Sequence, residues 1–292
     1  MFIATLIAAD RLSGGDISKS EDMLRAIGVE PMGRSWIERD KACDLLFSAD
    51  LLPVRSALEA HFPGVDIVVQ GEAGRRKKLL IADMDSTMIT VECIDELADY
   101  AGLKAEVAEI TERAMRGELA FEGALRARVA LLKGLDTAMI ERCRRERVRL
   151  TPGARALVRT MRRDGALTIL VSGGFTAFAE PVGEEIGFER VIANRLLGSD
   201  GRLDGTVGEP IVGADTKRAT LLGALAEHGL DAADALAVGD GANDIPMIEA
   251  AGLGVAFRAK PAAAAAADAR IDHGDLTALL YAQGYGRAEW AE

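Results

Sequence analysis

The chain has 292 residues, of which 49% are hydrophobic and 28% charged, and its formal net charge is −11 at pH 7. This length and composition are typical of a globular protein with room for two domains, and they exclude a largely disordered chain. Nucleic acids and anionic membranes attract basic surfaces, so the negative charge argues against both as main partners, although a small anionic ligand needs only a local positive pocket.

The cysteines and the N-terminal segment indicate a cytoplasmic protein. Cys43, Cys93 and Cys143 are odd in number and too dispersed for a C-x-x-C metal site, so we expect reduced, buried thiols. The first ten residues contain no basic residue, which argues against a signal peptide. No apolar run reaches the roughly eighteen residues that a membrane helix requires.

The first seventy or so residues alternate short strand and helix patterns. They predict the elements Phe2–Ala8 (strand), Ser20–Ile27 (helix), Arg34–Glu38 and Ala42–Phe47 (strands), Pro53–His61 (helix) and Val65–Val69 (strand). The order βαββαβ is that of the ferredoxin-like α+β fold. By topology alone the segment resembles the small ACT regulatory domains. We therefore predict a small ferredoxin-like, ACT-like domain over residues 1–74, followed by a polar linker at about 70–78.

From residue 79 onward, short continuous apolar runs alternate with helical patterns. This alternation predicts an α/β domain over residues 79–292, with a Rossmann-like, doubly wound parallel sheet. Between the first two strands lies a mainly helical insert at about 90–150, which we expect to cap the carboxyl edge of the sheet. Pro261 and the alanines after it predict one further short helix.

Two predicted strands end in closely spaced carboxylates. Asp83 and Asp85 follow the strand at 79–82, and Asp240 and Asp244 follow a strand at 236–238. Alone, the D-x-D spacing is equally compatible with a turn that caps the next helix. If the two strands are neighbours, however, these carboxylates converge and require a cation. Short oxygen ligands favour Mg²⁺, so the sequence predicts a magnesium site.

Two further segments offer groups that bind anions. Ser172 and Gly173 follow a strand predicted to end at Val171, and present a hydroxyl and an accessible backbone N–H. Lys217 falls in the first turn of a helix that we expect Asp215 or Thr216 to cap. Each alone is compatible with an ordinary loop or an exposed lysine.

Together the strand-end segments predict a phosphoryl-transfer site. Lys217 and Mg²⁺ would neutralise phosphate oxygens, which Ser172 and Gly173 would hold by hydrogen bonds. Asp83 could attack phosphorus to form an aspartyl-phosphate. Asp85 would protonate the leaving alcohol and then accept a proton from the attacking water.

The segments D-M-D-S-T, Ser172, Lys217 and G-D-G-A-N-D occur in the order of the four motifs of the haloacid-dehalogenase-like phosphatases, which this chain resembles from about residue 79 to 275. The resemblance implies that Asp83 is the nucleophile and Asp85 the acid and base. It assigns the metal to the Asp83 side chain, the Asp85 backbone carbonyl and Asp240. It also implies that Asn243 contacts phosphate or substrate and that Asp244 supports the metal site. Met84 replaces a frequent aromatic residue, which we expect to be neutral.

The predicted cap carries two candidate substrate-binding charges. Arg128 flanks the apolar face of the helix that begins near Phe121, and Glu92 stands near the start of an earlier helix. Arg128 is equally compatible with a snorkelling surface residue, and Glu92 with a helix-terminal carboxylate. If both face the pocket, Glu92 can bind an ammonium group and Arg128 a carboxylate, so the ligand would be a small phosphorylated amino acid.

The segments DMDSTMITVECIDELA, AMRGELAFEGALRARVALLKGL, LVSGGF, ANRL and AVGDGANDIPMI resemble those of the phosphoserine phosphatases. This resemblance implies that Glu92 and Arg128 bind substrate and that Met115 and Phe121 line its pocket. It implies Mg²⁺-dependent hydrolysis of O-phospho-L-serine, the last step of serine biosynthesis. A homodimer is compatible with the N-terminal domain, whose role in serine binding, dimerisation or stability stays open. Alternatives are a related phosphomonoester phosphatase, a phosphotransferase to an acceptor such as homoserine, or an amino-acid sensor with vestigial catalysis.

Overall fold

The computed structural model of the protein describes residues 1–115 and 118–291. Its strands form a four-stranded sheet, a six-stranded sheet and a two-stranded hairpin. The strands are β1 (Phe2–Ala8), β2 (Gly33–Glu38), β3 (Ala42–Phe47), β4 (Val65–Gly71), β5 (Leu79–Ala82), β6 (Leu167–Phe175), β7 (Arg190–Asn194), β8 (Leu196–Ser199), β9 (Arg202–Val207), β10 (Ala235–Gly239), β11 (Leu253–Phe257) and β12 (Ala269–Ile271). The α-helices are α1 (Gly14–Ala26), α2 (Leu51–His61), α3 (Cys93–Tyr100), α4 (Lys104–Met115), α5 (Phe121–Leu131), α6 (Ala138–Arg147), α7 (Ala154–Arg163), α8 (Thr176–Ile186), α9 (Ala214–His228), α10 (Ile245–Ala250), α11 (Pro261–Ala266) and α12 (Ala278–Ala282).

The N-terminal sheet is antiparallel, with strand order β2-β3-β1-β4. Together with α1 and α2 it gives the predicted ferredoxin-like order of elements. Helix α1 begins at Gly14, well before the predicted start at Ser20. The reason is a capping box, in which the Ser13 hydroxyl accepts the Asp16 N–H and the Asp16 carboxylate accepts the Ser13 N–H. The two glycines after Ser13 obscure this start signal in the sequence.

The six-stranded sheet is parallel throughout, in the order β12-β11-β10-β5-β6-β7. Strand β5 lies in the middle, and the chain winds away from it in both directions, which confirms the doubly wound α/β fold. All the residues of β5, β10 and β11 are buried, as expected for strands covered on both faces. Because β5 pairs with both β6 and β10, their carboxyl ends meet at one place on the sheet edge.

The segment between β5 and β6 carries the helices α3, α4, α5 and α6 before α7 leads into β6. An isolated antiparallel bridge between Ile89 and Leu150 joins its two ends. The β8–β9 hairpin, which the sequence analysis missed, contacts this insert: the Gly134 N–H donates to the Leu203 carbonyl and the Leu203 N–H to the Leu135 carbonyl. None of the helices in the described part of the chain combines the length and apolar character that a membrane span requires.

Partly buried polar contacts hold the N-terminal sheet against the linker and against the chain that follows β12. The Asp66 carboxylate, on β4, accepts the backbone N–H groups of Asp272, His273 and Gly274 at 2.8, 3.1 and 2.7 Å. Arg75 donates two hydrogen bonds to the Asp44 carboxylate, at 2.6 and 3.1 Å. The Asp66 contacts fix the N-terminal sheet against the loop that follows β12, and the Arg75 contact fixes the linker against β3.

Replacing Asp66 with alanine is expected to lower the free energy of unfolding by about 2 kcal/mol, because three backbone N–H groups lose the buried, charged acceptor that they share. Urea unfolding measures the change. The matched control is Asp22→Ala, which removes an ion pair to Arg25 from a side chain that is 76% exposed, and should cost less than about 1 kcal/mol. Equal costs for the two variants would contradict the role assigned to Asp66.

Candidate active site

The carboxyl end of β5 begins the candidate site. The Asp83 N–H donates to the carbonyl of Val238, at 3.0 Å, which fixes Asp83 beside the end of β10. Three residues on, Ser86 has a φ of 52°, in the left-handed region that a non-glycine residue rarely adopts. The chain therefore turns sharply, and the Asp85 carboxylate accepts the N–H of Cys93, the first residue of α3, at 3.2 Å.

A cluster of three buried carboxylates lies where β5 and β10 end. Oxygen atoms of Asp83, Asp240 and Asp244 all lie within 4.8 Å of one another. Asp244 is held by the N–H groups of Asp240 and Gly241, at 3.1 and 3.0 Å. A Cβ on Gly239 would lie 2.4 Å from Asp244, so only glycine allows this approach. The Asp85 carboxylate is not part of the cluster, because Cys93 holds it on the side toward α3.

Lys217 is a buried cation that pairs with two carboxylates of this cluster. Its side chain is 0% exposed, and its Nζ lies 2.6 Å from Oδ1 of Asp83 and 2.6 Å from Oδ1 of Asp244. The predicted cap by Asp215 or Thr216 is wrong: helix α9 has Gly213 at its N-cap, with no side-chain cap. The helix thus begins earlier than the capping pattern indicates, and Lys217 points inward instead of into solvent.

The charges of the cluster are not balanced by Lys217 alone. Burial and the neighbouring Asp244 raise the pKa of Asp83, against the opposing effect of Lys217. Burial raises the pKa of Asp240 to about 6. Burial alone would lower the pKa of Lys217, but Asp83 and Asp244 outweigh it and raise that pKa. Carboxylates this close are stabilised by a bound cation, and a set of short oxygen ligands suits a hard divalent metal.

Asp85 has a different environment from Asp83. Burial, followed by the charge of Glu92, raises the pKa of Asp85 to about 7, although the hydrogen bonds from Cys93 oppose the shift. A carboxyl group with a pKa in this range can both donate and accept a proton near neutral pH. The two aspartates therefore differ in electrostatics and in hydrogen bonding, as two groups with separate duties require.

Strand β6 supplies the third part of the site. The predicted strand end at Val171 is wrong, because β6 continues to Phe175 with a register irregularity after Ser172. Gly173 lines the cavity, whereas the Ser172 side chain is buried and its Oγ accepts the Gly174 N–H at 2.9 Å. A Cβ on Gly174 would lie 2.8 Å from Oδ2 of Asp85. The backbone at Gly174 thus passes directly behind the carboxylate of Asp85.

A cavity of about 380 Å³ lies above these strand ends, beneath the helical insert. Its lining includes, among the residues predicted from the sequence, Asp83, Asp85, Glu92, Phe121, Arg128, Gly173, Asp240 and Asn243. Glu92 accepts a hydrogen bond from the Ser86 hydroxyl at 2.8 Å. Burial lowers the pKa of Arg128, while Asp95 and Glu92 oppose the shift. The predicted pocket residue Met115 has a side chain that lies outside the part of the chain described by the structure.

The sequence analysis missed a charged residue of the cavity lining. Lys260, just before α11, lines the cavity and its Nζ lies 3.6 Å from Oδ2 of Asp240. The backbone N–H of Lys260 also donates to the backbone carbonyl of Asp240, at 2.9 Å. Its position in the sequence offered a clue, because Lys260 follows strand β11 just as the other site residues follow strands β5, β6 and β10. A single lysine before a proline, however, is also typical of the start of a helix.

The chain matches known proteins over most of its length. A family model described as haloacid dehalogenase-like hydrolase matches residues 80–249. A phosphoserine phosphatase of Streptomyces coelicolor is 46% identical over 81% of this chain and 58% of its own length, so the chain spans little more than half of that relative. A phosphoserine phosphatase of Polaromonas is 47% identical over 70% of this chain and 88% of its own length.

The crystal structure of a probable phosphoserine phosphatase from Vibrio cholerae, in its unliganded form, has a TM-score of 0.78 and 31% identity, covering 98% of this chain and 88% of that one. Its coverage includes the N-terminal sheet as well as the parallel sheet. The family match covers β5 through α10, which carry the buried carboxylates, Gly173 and Lys217. The chain therefore belongs to the haloacid dehalogenase-like hydrolases and, within them, to the phosphoserine phosphatase family.

Proposed function

We propose that the protein hydrolyses O-phospho-L-serine to L-serine and phosphate, the last step of serine biosynthesis. The observation that carries the proposal is the arrangement of charges in one cavity. Asp83 and Gly173 lie at its base, where a phosphate would bind, and Glu92 and Arg128 line the side formed by the helical insert. In this arrangement the Gly173 backbone can hold the phosphate by hydrogen bonds, Glu92 can pair with the ammonium group, and Arg128 can pair with the carboxylate.

In this proposal Asp83 is the nucleophile. One of its oxygens forms a bond to phosphorus as the bond from phosphorus to the serine oxygen breaks, which gives an aspartyl-phosphate. Asp85 gives its proton to the departing serine oxygen, and the pKa of about 7 keeps a protonated fraction available near neutral pH. Asp85 then accepts a proton from the water that attacks phosphorus, which releases phosphate and restores Asp83.

The phosphate oxygens need several positive or N–H partners. Lys217 lies 2.6 Å from Oδ1 of Asp83, and thus beside the position that the phosphorus would occupy. The Gly173 backbone, the Ser172 hydroxyl and Asn243 would donate hydrogen bonds to the phosphate. Because the Ser172 Oγ already accepts the Gly174 N–H, its own hydrogen is available to donate.

Mg²⁺ is the metal that this ligand set suits best, since it prefers a few carboxylate and carbonyl oxygens together with water and phosphate. The Asp83 side chain, the Asp85 carbonyl and Asp240 would hold it, and Asp244 would support them from below. When bound, the ion supplies positive charge that stabilises the phosphoryl oxygens during transfer. Lys260, beside Asp240, would then be free to face the phosphate instead.

The proposal extends to the organisation of the protein. We divide the chain into an ACT-like domain at 1–74 and a phosphatase domain at 79–292, with the cap at about 90–150. Three buried, unbridged cysteines support a reducing, cytoplasmic environment. Strand β2 is an edge strand of the N-terminal sheet, and its first three residues are exposed. An exposed edge strand can pair with a strand of a second copy, so in a homodimer we expect β2 to form the contact.

The variant Asp83→Asn should lose turnover of phosphoserine by at least about three orders of magnitude, because the amide cannot form the aspartyl-phosphate. Circular dichroism and a melting curve should show a folded protein, since the amide preserves the shape of the side chain. Phosphate release is the measurement. A variant that retains a tenth or more of the activity would rule out Asp83 as nucleophile.

Chelation of divalent metal should abolish phosphoserine hydrolysis, and added Mg²⁺ should restore it, because the buried carboxylates repel both one another and the substrate phosphate. Phosphate release before and after treatment with EDTA, followed by Mg²⁺ in excess, tests this. Activity that persists after exhaustive chelation would show that the cluster works without a metal.

The variant Arg128→Ala should raise KM for phosphoserine at least about tenfold, since a charge-assisted contact to the carboxylate is lost. KM for p-nitrophenyl phosphate, which has no carboxylate, should change little. The control Arg126→Ala lies on the same helix but pairs with Glu209 at 2.5 Å and is 48% exposed, so it should leave both values near those of the unmodified protein. Equal effects of Arg128→Ala on both substrates would refute its role in specificity.

A further inference from the structure

Asn194, the last residue of β7, joins two separate parts of the candidate site. It is 1% exposed. Its Nδ2 donates to the carbonyl of Gly173 at 2.9 Å and to the carbonyl of Val212 at 3.2 Å, and its Oδ1 accepts the Val212 N–H at 2.7 Å. The amide orientation is unambiguous, because a flipped amide would place oxygen against two carbonyls and nitrogen against an N–H.

The Asn194 side chain supplies the Val212 backbone with the hydrogen bonds that a neighbouring strand would otherwise make. A side-chain amide that donates to the C=O and accepts from the N–H of one residue reproduces the pair of hydrogen bonds that a residue on a neighbouring antiparallel strand would make. The chain at 211–213 has no strand assignment, yet it leads directly into α9, whose N-cap is Gly213. Asn194 therefore fixes the place where α9 begins, and with it the reach of Lys217 to Asp83.

The contact with Gly173 fixes a second group of the site. The Gly173 carbonyl is held by Asn194, and the N–H of the same peptide unit, from Gly174, donates to the Ser172 Oγ at 2.9 Å. The peptide group between Gly173 and Gly174 is thus held by a hydrogen bond at its C=O and another at its N–H. These two bonds fix the orientation of the backbone that lines the cavity, and in the second of them the Ser172 hydroxyl is the acceptor.

We propose that Asn194 is a positioning residue for phosphate, which sets the Gly173 backbone and Lys217 at the spacing that one phosphoryl group requires. The inference rests on the proposed function and deepens it. Asn194 is not part of the cavity lining, whereas Glu92 and Arg128, the proposed partners of the serine moiety, are. Its loss should therefore weaken the handling of every phosphate ester equally and leave discrimination between esters unchanged.

The test compares Asn194→Asp and Asn194→Ser with Gln283→Glu. Gln283 is a fully buried amide whose Oε1 accepts the Lys77 N–H at 3.0 Å and whose Nε2 donates to the Leu279 carbonyl at 2.9 Å, away from the cavity. The aspartate variant puts an oxygen against the carbonyls of Gly173 and Val212, and the serine variant is the milder change should the aspartate variant not fold. Both Asn194 variants should lower kcat/KM at least about tenfold, by the same factor for phosphoserine and p-nitrophenyl phosphate.

Inorganic phosphate, titrated calorimetrically in the presence of Mg²⁺, provides a readout that does not need turnover. The Asn194 variants should bind it at least about tenfold more weakly, whereas Gln283→Glu should lower the melting temperature but leave phosphate binding and kcat/KM within about twofold. Asn194 variants with unchanged phosphate affinity, or with losses that differ between the two esters, would overturn the positioning role. Failure of the unmodified protein to hydrolyse phosphoserine would instead defeat the proposed function, and phosphate titration would still decide the role of Asn194.

Discussion

The structure depends on a concentration of buried carboxylates around one buried lysine. Asp83 and Asp244 each lie 2.6 Å from the Lys217 ammonium, and Asp240 completes the cluster. Burying unlike charges is costly unless they are paired and hydrogen bonded. Here the pairing with Lys217 leaves negative charge in excess. Burial, with a smaller effect from the charge of Asp244, raises the pKa of Asp240 to about 6. A stable fold alone does not require this arrangement, which suits the proposed binding of a divalent cation and a phosphate.

The parallel sheet explains how distant segments supply these groups. Strand β5 is central and pairs with β6 and β10, so side chains that follow all three strands meet at one edge. Helix α9 adds Lys217 from outside the sheet, and its position is set by the chain just before it. The helical insert then covers the edge and adds charges that the sheet does not carry. In the proposed function, chemistry and substrate discrimination thus reside on different elements, so mutation should separate them.

Much of this site could be predicted from the sequence, because strand-end aspartates and a small set of ordered motifs leave a direct trace in the chain. The strand-end pattern predicted that Asp83, Asp85 and Asp240 lie close together, and the helical pattern placed Arg128 beside an apolar face. All four line the same cavity, and the doubly wound sheet was predicted as well. Other features depend on tertiary contacts that have no local pattern. The continuation of β6 past Val171 depends on pairing with β7, and the start of α9 at Ala214 depends on a glycine N-cap in place of a capping side chain.

Asn194 shows the same limit. In the sequence it is one asparagine after an apolar stretch, and only the fold brings the Gly173 carbonyl and the Val212 peptide within its reach. Lys260 was missed for a similar reason, since its proximity to Asp240 depends on β11 lying beside β10.

The most direct measurement traps the covalent intermediate. The protein would be mixed with O-phospho-L-serine and Mg²⁺, quenched with acid, and treated with borohydride, which reduces an acyl phosphate to an alcohol. Peptide mass spectrometry should then find homoserine at position 83 and unmodified aspartate at positions 85, 240 and 244. Reduction at another carboxylate, or at none during active turnover, would contradict the account of Asp83 as the residue that receives the phosphoryl group.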